Sequence, residues 1–199
     1  MDDRFKYYSI TDAARVGDFE QLVLMHQHGY QISSLVATLA GKYGHLDCLK
    51  YAHQNGAELD DIITAKIAMG GHLDCLKYAI SMGCHWHPLT TFWAAYHGHL
   101  DCLKYAYENG CEWNFETTRR AAEKGHINCL EYAIANGCTI HPLTAVEALK
   151  NEQMECFEYL LNQKIFYWDE NFDYYLPKFS NYNLKPKTRE WINKKLKLT

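Results

Sequence analysis

Eight cysteines and eleven histidines are the side chains with the widest chemical reach in this 199-residue sequence. His72 and Cys75 stand three apart, and Cys84-His85-Trp86-His87 sets three metal-ligating side chains in four positions. Such sets are what a tetrahedral zinc site draws on. The spacing of the whole set argues against that use. Cys48, Cys75, Cys102, Cys129 and Cys156 recur every 27 residues, so they hold one place in successive copies of a unit. Equivalent positions on packed helices lie about 8–10 Å apart. One zinc holds its ligands at roughly 2.0–2.3 Å, and a disulfide needs Cα atoms roughly 4.4–6.8 Å apart. Cys75 and Cys84 differ by nine positions, which at about 100° per residue puts them near opposite sides of a helix axis. The cysteines are therefore expected to be core residues, with no metal and no cofactor. His45, His72, His99 and His126 each follow a glycine at the same interval, and their expected task is to satisfy backbone groups between units. Without a Gly-rich phosphate loop, a Gly-x-Ser-x-Gly elbow or a zinc-protease helix, no enzyme activity is expected.

The elements that carry these residues are pairs of short helices. Gly44 to Ala52 (GHLDCLKYA) returns at Gly71 to Ala79 and at Gly98 to Ala106, with a looser copy at Gly125 to Ala133. A second glycine closes each unit at 29, 56, 83, 110 and 137. The fourth unit predicts a first helix over 90–97, a break at Gly98, a second helix over 100–109 and a left-handed cap at Gly110. Ser33, Asp60 and Asn114 are predicted to cap first helices, and Pro88 and Pro142 to start two others. Ala40/Gly41, Ala68, Ala94/Ala95 and Ala121/Ala122 let first helices stack closely. A lone pair cannot bury its apolar face, so each unit must lean on its neighbours.

Over residues 9 to 163 the pattern resembles the ankyrin repeat: HPLT at 87–90 and 141–144, paired alanines, Gly-His, and a leucine-bearing second helix. Cys84, Cys111 and Cys138 stand where the closing alanine is usual. Ankyrin units run to about 33 residues, so these shorter ones imply that the β-hairpin finger is cut to a tight loop. The GHLDCLKYA wording with a following Asn-Gly-Cys is similar to repeats of giant DNA viruses of amoebae and some protists. The resemblance implies an all-α, ankyrin-like helix-turn-helix repeat solenoid with a C-terminal helical cap, and a protein-binding scaffold or host-modulating adaptor as the function.

Positions that vary among copied units are free for recognition. The residues just before Gly-His vary: Lys42-Tyr43, Met69-Gly70, Tyr96-His97 and Glu123-Lys124. The resemblance implies that they line the concave face. The loops vary as well, contributing Trp86 and Trp113, while Phe92 and Trp93 join Tyr96 in the fourth unit. Trp86, Trp93, Tyr96 and Trp113 are expected to cluster as interface anchors. The alternative for Trp86 and Trp113 is packing between loops, one period apart.

Residues 1–163 carry 12 Lys/Arg against 20 Asp/Glu, whereas residues 164–199 carry 8 against 4. A body with this acidic excess disfavours nucleic acid as the partner. The division expected is a repeat body over 1–163, about six units with the first and last degenerate, and an aromatic, basic closing segment over 164–199. That segment could instead stack on single-stranded nucleic acid or recruit other machinery. No run of about 18 apolar residues occurs and the first ten residues lack a signal-peptide core, so an intracellular protein without a membrane partner is expected, with the virion as the alternative for a viral chain. The partner expected is a protein and the chain itself a monomer; the competing reading is a structural component of a particle or large assembly.

Overall fold

The computed structural model describes residues 9–163 except 142, together with positions 186 and 190. The expected closing segment, 164–199, therefore lies outside the described residues apart from those two positions, as does Pro142. Among the described residues there are twelve helices and no strand. The chain divides into two compact units, 1–114 and 115–199.

The first unit holds α1 (Ile10–Val16), α2 (Phe19–Gln27), α3 (Ser34–Lys42), α4 (Leu46–Gln54), α5 (Ile62–Gly70), α6 (Leu73–Ser81), α7 (Thr90–His97) and α8 (Leu100–Glu108). The second holds α9 (Thr117–Lys124), α10 (Ile127–Ala135), α11 (Thr144–Lys150) and α12 (Met154–Asn162). Each unit is an all-α stack of helix-turn-helix repeats. Odd-numbered helices pack on one another in series, α1 on α3, α3 on α5 and α5 on α7, and even-numbered helices form the second layer. The second unit repeats this with α9 on α11 and α10 on α12.

The sequence period explains the layers. In α4, α6, α8 and α10 the Cys-Leu-x-x-Ala triplet faces inward: Cys48, Leu49 and Ala52, and their equivalents, are at most 1% exposed. Asp47 and its counterparts Asp74 and Asp101 stay outside in the first turn, where they complement the helix dipole. First helices bury a different set. Thr90, Thr91, Ala94 and Ala95 in α7, and Thr117, Thr118, Ala121 and Ala122 in α9, are fully buried. Small side chains at these positions let the helices approach. Gly41 shows how closely, since a Cβ there would come within 2.9 Å of the Ile67 side chain.

Helix ends depart from the expected caps. Asp61 and Glu116, not Asp60 and Asn114, occupy the N-cap positions of α5 and α9, and neither makes a side-chain cap bond. Ser33 sits at the N-cap of α3, also without one. Asp61 and Asn114 instead bond to adjacent repeats. The Asp61 carboxylate accepts the His85 amide at 2.8 Å, and the Asn114 side chain donates to the Pro88 carbonyl at 3.3 Å. Pro88 lies in the turn before α7, whose N-cap is Leu89. Side-chain caps form at the first repeat instead: Ser9 accepts the Asp12 amide and Asp18 the Gln21 amide.

Candidate functional site

α7 is buried on one side by Thr90, Thr91, Ala94 and Ala95, so the residues two places later in each pair turn to the opposite side. Those residues are Phe92, Trp93, Tyr96 and His97. Phe92 and Tyr96 lie parallel, with centroids 6.1 Å apart and planes 7° from each other. Trp93 stands edge-on to both, 4.8 Å from Phe92 and 5.7 Å from Tyr96. His97 meets Trp93 at 5.9 Å and Tyr96 at 5.0 Å, and stacks on His99 at 6.0 Å. The first three rings are half-buried and His97 is exposed. The result is a preformed aromatic surface whose rings restrain one another.

Other predicted residues lie elsewhere. Lys42 ends α3, with its Nζ 5.2 Å from the centre of the neighbouring Tyr43 ring, and Tyr43 is 42% exposed. Met69 is half-buried near the end of α5, and its carbonyl accepts a bond from His99. Trp86 donates from Nε1 to the Asn109 carbonyl at 2.8 Å and meets Tyr105 of α8 edge-on at 6.0 Å. Trp113 stacks on Tyr107 at 4.4 Å. Phe92, Trp93, Tyr96 and His97 are thus brought together, while Trp86 and Trp113 are engaged with α8.

In the second unit Glu123 and Lys124 belong to an ionic chain along α9. Arg120 donates to Glu123 at 2.6 Å, Lys124 lies 3.2 Å from Glu123, and Glu116 pairs with both Arg119 and Arg120. Burial pushes the Glu123 carboxyl up, but bonds from Arg120 and Lys124 outweigh it and hold the group below its usual value.

All eight cysteines are free and buried. Burial raises the thiols of Cys102 and Cys129 to about 12 and those of Cys48, Cys75, Cys84, Cys111, Cys138 and Cys156 to about 11. They are protonated at neutral pH, the opposite of a ligand or nucleophile. The repeated histidines join adjacent repeats. His45 donates from Nε2 to the Arg15 carbonyl at 3.1 Å, and His99 to the Met69 carbonyl at 3.2 Å. Each ring also covers a glycine of the preceding repeat: His45 covers Gly17, His72 covers Gly44 and His99 covers Gly71. Gly71 has φ +79°, and an added Cβ would overlap the His99 ring.

Two further ladders escaped the sequence reading although they share its period. Thr64, Thr91 and Thr118 reach into the following loop: Thr64 accepts the His87 amide, Thr91 donates to Glu112 and accepts from Asn114, and Thr118 donates to Thr139. Second helices are tied by His26 to the Tyr51 hydroxyl at 2.8 Å and by His53 to the Tyr78 hydroxyl at 2.9 Å. The 27-residue recurrence of Thr64, Thr91 and Thr118, and of Tyr51, Tyr78 and Tyr105, was the available signal.

Residues 92–134 match the family model described as ankyrin repeats (many copies). The crystal structure of the human ASB11 ankyrin repeat domain superposes with a TM-score of 0.68 at 15% identity, over 80% of this chain and 85% of that one. The fold is the ankyrin-repeat fold. No curated protein sequence matches the chain. The ankyrin-repeat fold is typical of protein–protein interaction modules, and ankyrin-repeat domains are characteristically non-catalytic scaffolds. Among the described residues no group of three or more His, Cys, Asp or Glu is placed to hold a metal ion, and no helix is long and apolar enough to cross a membrane.

Proposed function

We propose that this ankyrin-repeat chain is a recognition module that docks a protein partner on the face formed by Phe92, Trp93, Tyr96 and His97 of α7. The observation that carries the reading is the ring cluster itself: three half-buried aromatics and one exposed imidazole, held in mutual contact opposite the buried side of the helix. Tryptophan and tyrosine dominate the energetics of protein interfaces, above all where neighbours hold them in place before binding. Lys42 with Tyr43 and Met69 occupy the corresponding ends of α3 and α5, which pack in series with α7. They extend the same side of the first unit. Trp86 and Trp113 support loop positions rather than anchor the partner. A role as a viral or protist adaptor rests on the repeat wording alone.

The test is affinity capture from the native source with the unaltered protein and with Trp93→Ala/Tyr96→Ala, quantified by crosslinking mass spectrometry. The expected result is one protein crosslinked near α7 and reduced about tenfold in the double variant, whose circular dichroism spectrum and cooperative unfolding show that it stays folded. Equal capture by both proteins would sink the assignment of this face. Recovery in fixed proportion with a particle would favour a structural component instead.

A further inference from the structure

A second periodic feature is carried by side chains that the packing does not use. Leu35, Ile62 and Leu89 stand 27 residues apart, at the starts of α3, α5 and α7, and are 54%, 43% and 38% exposed. Aliphatic residues at positions without structural duty would be expected to drift toward polar types on the surface, yet three successive repeats keep them in register. The starts of α5 and α7 lie side by side, as the 3.0 Å contact between Thr64 Oγ1 and Thr90 Oγ1 shows. The three side chains therefore form a row with the spacing of packed helices, about 8–10 Å per step.

The loops beside the row carry charge of one sign, while Lys66 stands one turn on from Ile62 along α5. The segments 30–36, 57–63, 84–91 and 111–114, which lead into first helices or follow α8, contain Glu58, Asp60, Asp61 and Glu112 and no lysine or arginine. All four carboxylates belong to exposed residues. Asp61 is engaged by the His85 amide. The loop side of the row thus offers apolar contacts at fixed intervals along an acidic border.

A ligand for this edge must present one apolar side chain per 8–10 Å and positive charge between. A β-strand does not fit, because residues on one face recur every second position, about 6.6 Å apart. A polyproline II helix does: it has three residues per turn at about 3.1 Å each, so every third side chain points the same way about 9.3 Å further on. Such a segment also loses little entropy on binding, which suits a shallow track.

We infer that Leu35, Ile62 and Leu89 form a track for a basic, polyproline II-like segment of the partner protein, with an apolar residue at every third position. The track borders the aromatic face, since Phe92 and Trp93 follow Leu89 by three and four residues on the same helix. It rests on the binding-module reading and adds the chemistry of the partner to it.

The probe is a fluorescent peptide of four Leu-Pro-Lys triplets, followed by fluorescence anisotropy with the full chain at low salt. Saturable binding is expected, about tenfold weaker for Ile62→Ser and for Leu89→Ser. These exposed substitutions should leave the circular dichroism spectrum and melting midpoint unchanged. Binding should also weaken when glutamate replaces the lysines, and when the same residues are reordered so that leucine recurs at every second position. Equal affinity for the reordered peptide, or for both variants, overturns the track. Failure of the triplet peptide to bind, alongside loss of the native partner in Trp93→Ala/Tyr96→Ala, would leave the aromatic face standing and remove the track.

Discussion

Cysteine in this protein is a packing residue, and its chemistry follows from where it sits. Cys48, Cys75, Cys102, Cys129 and Cys156 are each about 1% exposed, and burial lifts every thiol to about 11 or 12. A thiol-reactive disulfide reagent at pH 8 should therefore modify fewer than one cysteine per folded chain within minutes and all eight in denaturant. Cys84, at 9% exposure, should be the first to react in the native state. Fast modification of the second-helix cysteines would contradict their burial. The 27-residue interval made this outcome readable, because distance between repeats forbids shared ligands whatever the details of the helices. The histidines were readable for their role and not for their contacts: nothing in the wording of Gly-His says that the ring lies over the glycine of the repeat before it.

That contact gives His72 a pH dependence with a definite sign. Burial first, then the nearby His99 and His45, push its imidazole below the usual 6.5. The unfolded chain then binds the proton more readily than the folded one, so the stabilisation is complete above about 6.5 and is lost as the pH falls below it. The melting midpoint should drop between pH 7.5 and 5.5. His72→Gln should reduce that drop while retaining the fold, because Gln153 fills the same place over Gly125 in the last repeat. An unchanged slope in the variant would assign the pH response to other groups.

Helices were more legible than their boundaries. The Cys-Leu-x-x-Ala periodicity and the paired alanines define which faces are buried, and α7 begins and ends where its pattern predicts, at Thr90 and His97. The caps at Asp60 and Asn114 were misread because local propensity competes with the neighbouring repeat: Asp61, beside Asp60, bonds forward to the His85 amide, and Asn114 bonds back to the Pro88 carbonyl. Threonine does the same from inside the core. Thr91 is fully buried, donates to the Glu112 carbonyl and accepts the Asn114 amide at 3.1 Å. Replacing it with valine keeps the shape and leaves those backbone groups without the hydroxyl, at a cost of about 1–3 kcal/mol. Urea unfolding should show a lower midpoint for Thr91→Val, and a change under about 0.5 kcal/mol would mean that water replaces the hydroxyl.

At the scale of the molecule, stability is assembled from contacts between successive repeats, so removing one whole repeat in register should be tolerated. Deleting residues 71–97 joins Met69-Gly70 to Gly98-His99-Leu100, which reproduces the native wording Met69-Gly70-Gly71-His72-Leu73. α5 would then precede α8 as α7 does now. Thr64 would take the place of Thr91 opposite the 112–114 loop, and His99 would cover Gly44 as His72 does. The shortened chain should keep its helical content per residue, with a urea m-value lower by roughly one part in seven, the share of chain removed. Deleting residues 71–90 instead destroys the register and should give an unfolded or aggregating product. The in-register deletion also removes Phe92, Trp93, Tyr96 and His97 together, so on the proposed function it should fold and fail to retain the partner. That separation of folding from binding is what a repeat fold predicts when its structural positions are copied and its aromatic anchors belong to one unit.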